Sequence, residues 1–349
     1  MLKILRLLII INLTFVSGES IHAESIKKAG IATAHPLATK AGYEILEMGG
    51  NAFDAAVTVS AVLSVVEPYS SGLGGGGFFL LHNAEDGQSV FVDAREKAPS
   101  MADRDMYLDE NGDVLRTASL NGPLASGIPG LPAALHHVAN NHGSMPLYKL
   151  LEPAIRLARD GFPAYERLIT ALNVAKKSRT LSPKFKAVFM PNDQLPEVGQ
   201  LIKQPELAKT LEIIASNGHD GFYKSFFTQK MIDEARQDGS IWLADDFKNY
   251  SVVEREPIKV NFLGAQLTTA PPPSSGGTTI ATILNIISEF DFIEMDISTR
   301  THLVVESMRR AYRDRAFFLG DPDFVDVPIK KLTSKEHASI LAQSIDMNA

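Results

Sequence analysis

The stretch from Ala52 to Val66 is apolar on nearly every side of a helix of 3.6-residue period. A helix with no polar stripe cannot lie on a surface. Any fold that contains it must cover it on all sides, and burial against a sheet is expected. Both of its ends are marked. Asn51 is placed to cap the free amides of the first turn, Asp54 sits near the positive end of the dipole, and Glu67-Pro68 closes the helix. Just upstream, Pro36 opens a helix that puts Leu37, Ala41, Ile45 and Met48 on one stripe. Gly49-Gly50 ends it by supplying a residue free to take positive φ.

Short β-prone runs, Phe78 to His82 and Ser89 to Asp93, flank the polar segment Asn83 to Gln88 and predict a hairpin leading into Asp93-Ala94-Arg95-Glu96. A second hairpin is expected from Ile258 to Phe262 and Gln266 to Thr269, around Gly264. Helical spacing recurs over Pro153 to Arg159, Glu206 to Ala215, Thr278 to Ser288 and Thr299 to Phe318. Pro271 to Gly277 is too short to tether independent domains and reads as a stiff bend. No repeat or low-complexity tract interrupts this mixture, so the chain is expected to be a mixed α and β protein.

The 349 residues, 45% of them hydrophobic, suffice for one large domain or two modest ones. A net charge of −7 leaves no global positive field, which argues against nucleic acid or an anionic membrane as partner. The absence of cysteine excludes a thiol nucleophile, a cysteine zinc site and a disulfide framework. Lys3 and Arg6, the apolar run Leu7 to Val16 and the polar stretch to Ala23 have the layout of a signal peptide. The apolar run is about half the roughly 20 residues of a spanning helix. Cleavage after Ala23 is expected, with residues 1–23 as leader, residues 24–349 as the exported part, and a periplasmic or extracellular location.

Gly72, Gly74 and Gly77 satisfy G-x-G-x-x-G, but Phe78 to Leu81 read as a strand where a nucleotide fold needs a helix. The expected role of these glycines is a helix-to-strand crossing with close backbone approach. His136 and His137 are adjacent, hence about 100° apart on a helix, and no carboxylate stands at metal-ligand spacing from them. They read as surface or core histidines, and no metal site is expected. H-E-x-x-H and G-x-S-x-G are absent. Arg95, following a predicted strand, could present its planar fork of donors to a carboxylate; an exposed or structural pair with Glu96 is the competing reading. The residues alone thus describe a secreted α and β protein with no evident nucleophile.

Several stretches taken together resemble the γ-glutamyltransferase (glutathione hydrolase) family. They are Ala34 to Thr39, Gly49 to Ala56, Glu67 to Gly77, Asp93 to Pro99, Ala125 to Gly130, Ala158 to Phe162, Pro271 to Gly277 and Leu319 to Val325, in the family's order. The resemblance implies an α+β fold, the four-layer αββα sandwich of N-terminal-nucleophile hydrolases, made by a precursor that cuts itself into a large and a small subunit. This chain matches the large-subunit part over residues 24–349, so the sandwich is expected to be incomplete. In the family a threonine exposed by self-cleavage attacks the γ-glutamyl carbonyl, with its own amine as base. Water or an amino acid or dipeptide acceptor then releases the glutamyl group.

By the same resemblance Arg95 is the clamp on the substrate α-carboxylate, whereas Ser274 and Ser275 belong to the Pro-rich bend and are not oxyanion donors. No cofactor or metal is implied, and the implied partners are glutathione, other γ-glutamyl compounds and the small subunit. The family's Thr-Thr-His processing site is not found: Thr268-Thr269 and Thr278-Thr279 are followed by Ala270 and Ile280. No catalytic residue is therefore assigned, and the chain alone is expected to be inactive. The alternatives are a related cephalosporin or glutaryl acylase, and a non-catalytic secreted remnant or binding protein.

Overall fold

Residues 29–347 are described by a computed structural model; the leader expected over residues 1–23 lies outside the described residues. Along the chain come α1 (Pro36–Glu47), α2 (Ala52–Val66), β1 (Gly77–Asn83) and β2 (Gln88–Ala94), then α3 (Leu131–Asn141) and α4 (Leu147–Asp160). The middle carries β3 (Phe162–Pro163), α5 (Glu166–Ser178), α6 (Pro183–Phe189), β4 (Leu201–Ile202), α7 (Pro205–Asn217), α8 (His219–Tyr223), α9 (Phe226–Gln237) and α10 (Ala244–Lys248). The last stretch holds β5 (Val253–Arg255), β6 (Ile258–Phe262), β7 (Ala265–Thr269), α11 (Ser275–Ile287), α12 (Ile297–Phe318), α13 (Ile329–Leu332) and α14 (Lys335–Gln343).

The local signals act where expected. Gly49 ends α1 with φ +91°. Asn51 Oδ1 accepts from the amides of Phe53 and Asp54 at 2.8 and 2.9 Å, while Asp54 Oδ2 accepts from the Asn51 amide at 2.8 Å, a reciprocal cap. The same buried Asp54 carboxylate accepts from the Ser144 hydroxyl at 2.6 Å and from the amides of Ser144 and Met145, tying the start of α2 to the loop before α4. Among the residues of α2 only Ala52 is exposed.

Its cover is largely helical: α1, α3 and α4 pack against α2, and Leu81 and Val92 of the sheet belong to the same core cluster. Ala38, Ala41, Ala55 and Ala61 are buried in α1 and α2, and such small side chains let helix axes approach closely enough to cover each other. A correction concerns α4, which starts at Leu147 and carries Pro153 inside it. Leu147, Leu150, Leu151, Ala154, Ile155 and Ala158 form one buried stripe across the proline, so burial outweighs the lost backbone bond.

Both hairpins form. β1 and β2 pair antiparallel with Phe79 opposite Val92 and Leu81 opposite Val90, and β5 joins on the far side of β2 to give the order β1-β2-β5. β6 and β7 make a separate two-stranded ladder. The largest core cluster runs from Ala38 to Tyr250, and a smaller one joins Ile286, Ile287 and Leu303 to Ala338, Leu341, Ala342 and Ile345. Among the described residues no helix is long and apolar enough to cross a membrane.

Candidate functional site

Residues 94–97, at and just past the end of β2, are gripped by segments far apart in sequence. The Arg95 amide donates to Asp93 Oδ1 at 3.1 Å, and the Arg95 carbonyl accepts from the Tyr250 hydroxyl at 2.8 Å. Lys97 and Ile128 exchange backbone bonds of 3.2 and 2.7 Å. The amides of Gly130 and Leu131 both donate to the Gly75 carbonyl, at 2.9 and 3.0 Å. A Cβ on Gly76 would stand 2.5 Å from the Ala94 oxygen, and one on Gly130 would stand 2.0 Å from the same atom. Close approach therefore explains Gly76 and not Gly72, Gly74 or Gly77, around which a Cβ would meet nothing nearer than 4.0 Å. This refines the expected role of the glycine run.

Tyr250 is itself held. Its ring stacks on Tyr223, with centroids 5.3 Å apart and planes 6° from parallel, and the Tyr223 hydroxyl donates to the Pro129 carbonyl at 2.7 Å. Burial pushes both phenols well above the ordinary tyrosine range, aided at Tyr250 by the charges of Asp93 and Glu96, so both remain donors.

Three nearby acids are engaged elsewhere. Glu96 Oε1 accepts from the Gly76 amide at 2.8 Å. Arg255 donates through Nε to Asp93 Oδ2 at 2.8 Å and through its two terminal nitrogens to Asp323 at 2.9 and 2.8 Å. That fork raises the Arg255 pKa, through Asp323 first and Asp93 second, and holds the Asp323 carboxyl below its usual range. Arg95 forms no ion pair with a carboxylate of the described residues. Its guanidinium carbon lies 5.8 Å from the centre of the exposed Phe78 ring, and the residue lines two adjoining clefts of about 470 and 300 Å³. The expected alternative, a structural Arg95–Glu96 pair, is not what forms.

The larger of these clefts also presents Pro273, Ser274, Ser275 and Arg315. Ser274 caps α11, and Ser275 Oγ accepts from Arg315 Nε at 2.9 Å, so both serines have structural partners in the bend. A Cβ on Gly277 would stand 1.9 Å from the Ala270 oxygen, which explains the glycine that follows them.

The histidine reading needs a partial correction. His136 and His137 do diverge: His136 lies against His219, with centroids 6.5 Å apart, and burial lowers its pKa. His137, by contrast, meets Glu254, which also meets His142. Sequence spacing could not show a carboxylate 117 residues away. Tyr250, Arg255 and Asp323 were missed for the same reason.

The α and β scaffold thus brings an arginine fork, unpaired by any described carboxylate, to the rim of a cleft, and its fold is that of the γ-glutamyltranspeptidases among solved structures. The chain belongs to the γ-glutamyltranspeptidase family, whose profile matches residues 38–349. It is 39% identical over 336 residues to the glutathione hydrolase proenzyme of Escherichia coli K12, covering 95% of this chain and 58% of that relative. It therefore spans a little over half the length of the curated proenzymes it matches. Among solved structures, the γ-glutamyltranspeptidase of Helicobacter pylori matches with a TM-score of 0.87 at 36% identity, covering 92% of this chain and 93% of that one. Cephalosporin acylase from Bacillus halodurans matches with a TM-score of 0.78 at 26% identity, covering 93% of this chain and 63% of the other.

Proposed function

We propose that this chain is the large-subunit part of an exported γ-glutamyl transferase and hydrolase that acts on glutathione and other γ-glutamyl compounds. The observation that carries the reading is Arg95: a guanidinium on a backbone locked by Gly76, Gly130 and Tyr250, without an ion-pair partner among the described carboxylates, at a cleft. A planar fork in that position suits two parallel bonds to the donor α-carboxylate. The attacking threonine and its amine base are supplied by a further segment, the small subunit of the same precursor. There the hydroxyl attacks the γ-carbonyl, the peptide leaves with a proton, and the glutamyl-enzyme ester is opened by water or by an acceptor amine. This chain alone releases no glutamate from glutathione.

The test compares Arg95→Lys with the parent in the assembled, self-cleaved enzyme. Lysine keeps the charge but loses the fork. The Michaelis constant for a γ-glutamyl anilide should therefore rise by roughly tenfold or more, as expected for losing a charge-assisted pair of about 1.5–3 kcal/mol. Self-cleavage should be unchanged. An unaltered Michaelis constant removes Arg95 from the site. Preference for a glutaryl over a γ-glutamyl donor in the parent enzyme would instead support the acylase reading.

A further inference from the structure

On the other side of the β1-β2-β5 sheet's third strand, three side chains converge that the γ-glutamyl reading does not use. His137 sits near the end of α3, His142 caps that helix, and Glu254 is the middle residue of β5. The Nε2 atoms of both imidazoles point at one carboxylate oxygen: His137 Nε2 lies 2.8 Å and His142 Nε2 3.1 Å from Glu254 Oε1. One candidate ligand atom from each residue lies within 4.8 Å of the others.

Those spacings are close to what a metal ion requires. A tetrahedral ion about 2.0–2.1 Å from each donor sets the donor atoms roughly 3.3 Å apart. The pairs at 2.8 and 3.1 Å need to open by only a few tenths of an ångström, which rotation of the Glu254 side chain can supply, while the two imidazole donors, within 4.8 Å of one another, close on the ion by rotation of their rings. The rings are already positioned. The Asn141 amide nitrogen lies 3.0 Å from His137 Nδ1 and 3.3 Å from its Nε2; once Nε2 becomes a ligand, the side chain can turn its oxygen to a protonated Nδ1. His142 packs edge-on against Phe53, with centroids 5.8 Å apart, and its carbonyl accepts from Asn51 Nδ2 at 2.9 Å.

The site is reachable. The two histidine side chains are 23% and 21% exposed and that of Glu254 42%, and His142 and Glu254 line a cleft of about 510 Å³. From these contacts we infer that His137, His142 and Glu254 form a divalent transition-metal site. Two imidazole nitrogens and one carboxylate suit Zn²⁺, with water in the fourth position facing the cleft, and disfavour Mg²⁺ and Ca²⁺, which take oxygen donors. The ion would staple the end of α3 to β5, one residue from the Arg255 that holds Asp93 and Asp323. The inference is independent of the γ-glutamyl reading.

The test uses the full chain, untagged and stripped with chelator, titrated with Zn²⁺ by calorimetry and with Co²⁺ by visible absorption. The expected result is one saturable ion per chain and the intense d–d bands of four-coordinate Co²⁺. His137→Ala combined with His142→Ala, and separately Glu254→Gln, should lower affinity at least ~10-fold. Glu254→Gln keeps size and hydrogen bonding, so it decides the matter if the double variant fails to fold. Absence of stoichiometric binding, or an affinity that Glu254→Gln leaves unchanged, overturns the site.

Discussion

The region from Thr33 to Val252 and the region from Ile258 onward treat their apolar side chains in different ways. In the first, one continuous cluster gathers α1 to α4 with α7, and α2 is wrapped by its neighbours. In the second, α12 buries a single stripe, Leu303, Ser307, Ala311 and Asp314, against its own neighbours. A second stripe at helical spacing, Val305, Met308 and Tyr312, stays exposed, and Phe317 and Phe324 beyond it are 77% and 86% exposed. Phe78 and Leu80 of β1 are exposed in the same way on one face of their strand. Contiguous apolar surface of this kind marks an interaction face. The difference teaches that the framework holding Arg95 closes mostly on itself, whereas one stripe of α12 and the outer face of β1 leave apolar side chains uncovered. In the proposed enzyme their cover is the small subunit.

The largest effect that would sharpen this contrast is expected at Asp54. Asp54→Ala removes a buried carboxylate that satisfies the donors of Asn51, Ser144 and Met145 at once. It should destabilise the chain by on the order of 3 kcal/mol, since buried donors are left unpaired. Chemical denaturation reads this directly, and a loss below about 1 kcal/mol would show that the first region does not depend on its polar tie.

A smaller effect is expected from pH, again confined to the first region. Burial, the largest cause at each, lowers the pKa of both His35 and His136 from an ordinary value of 6.5. The unfolded chain therefore binds protons more readily than the folded one below that value. Stability should be full above about pH 6.5 and decline as pH falls through the depressed folded values. His136→Gln should flatten part of that decline. A parent stability that rises on acidification from pH 7 to 5.5 would contradict the sign.

The smallest change in stability is expected on the exposed stripe. Val305→Thr with Met308→Gln should shift the unfolding free energy of the chain by about 0.5 kcal/mol or less, as for surface positions. The same pair should reduce binding of a hydrophobic dye, which the parent chain is expected to take up. Cooperative melting of the parent without dye binding would erase the contrast and favour a self-sufficient binding protein.

How much of this could be read beforehand follows the range of the interactions. The cap of α2, its length, the end of α1 at Gly49 and both hairpins were readable because each signal lies within a few residues of its effect. Pro153 misled, since a proline read as a helix start proved to be interior once the apolar stripe of α4 was buried. The helices that cover α2 were not readable, because hydropathy reports that a helix is buried and not by what. At the proposed site, the place of Arg95 just after a strand was readable, but its frame was not. Tyr250, Gly130 and Arg255 reach residues 93–95 across 36 to 162 positions of sequence, and only folding reveals them.

The most direct measurement is a structure of the assembled enzyme with a γ-glutamyl donor analogue bound. The account predicts both α-carboxylate oxygens within hydrogen-bonding distance of the Arg95 guanidinium, with Arg255 still engaged to Asp93 and Asp323. An analogue whose carboxylate is held elsewhere, with Arg95 turned to solvent, would contradict it.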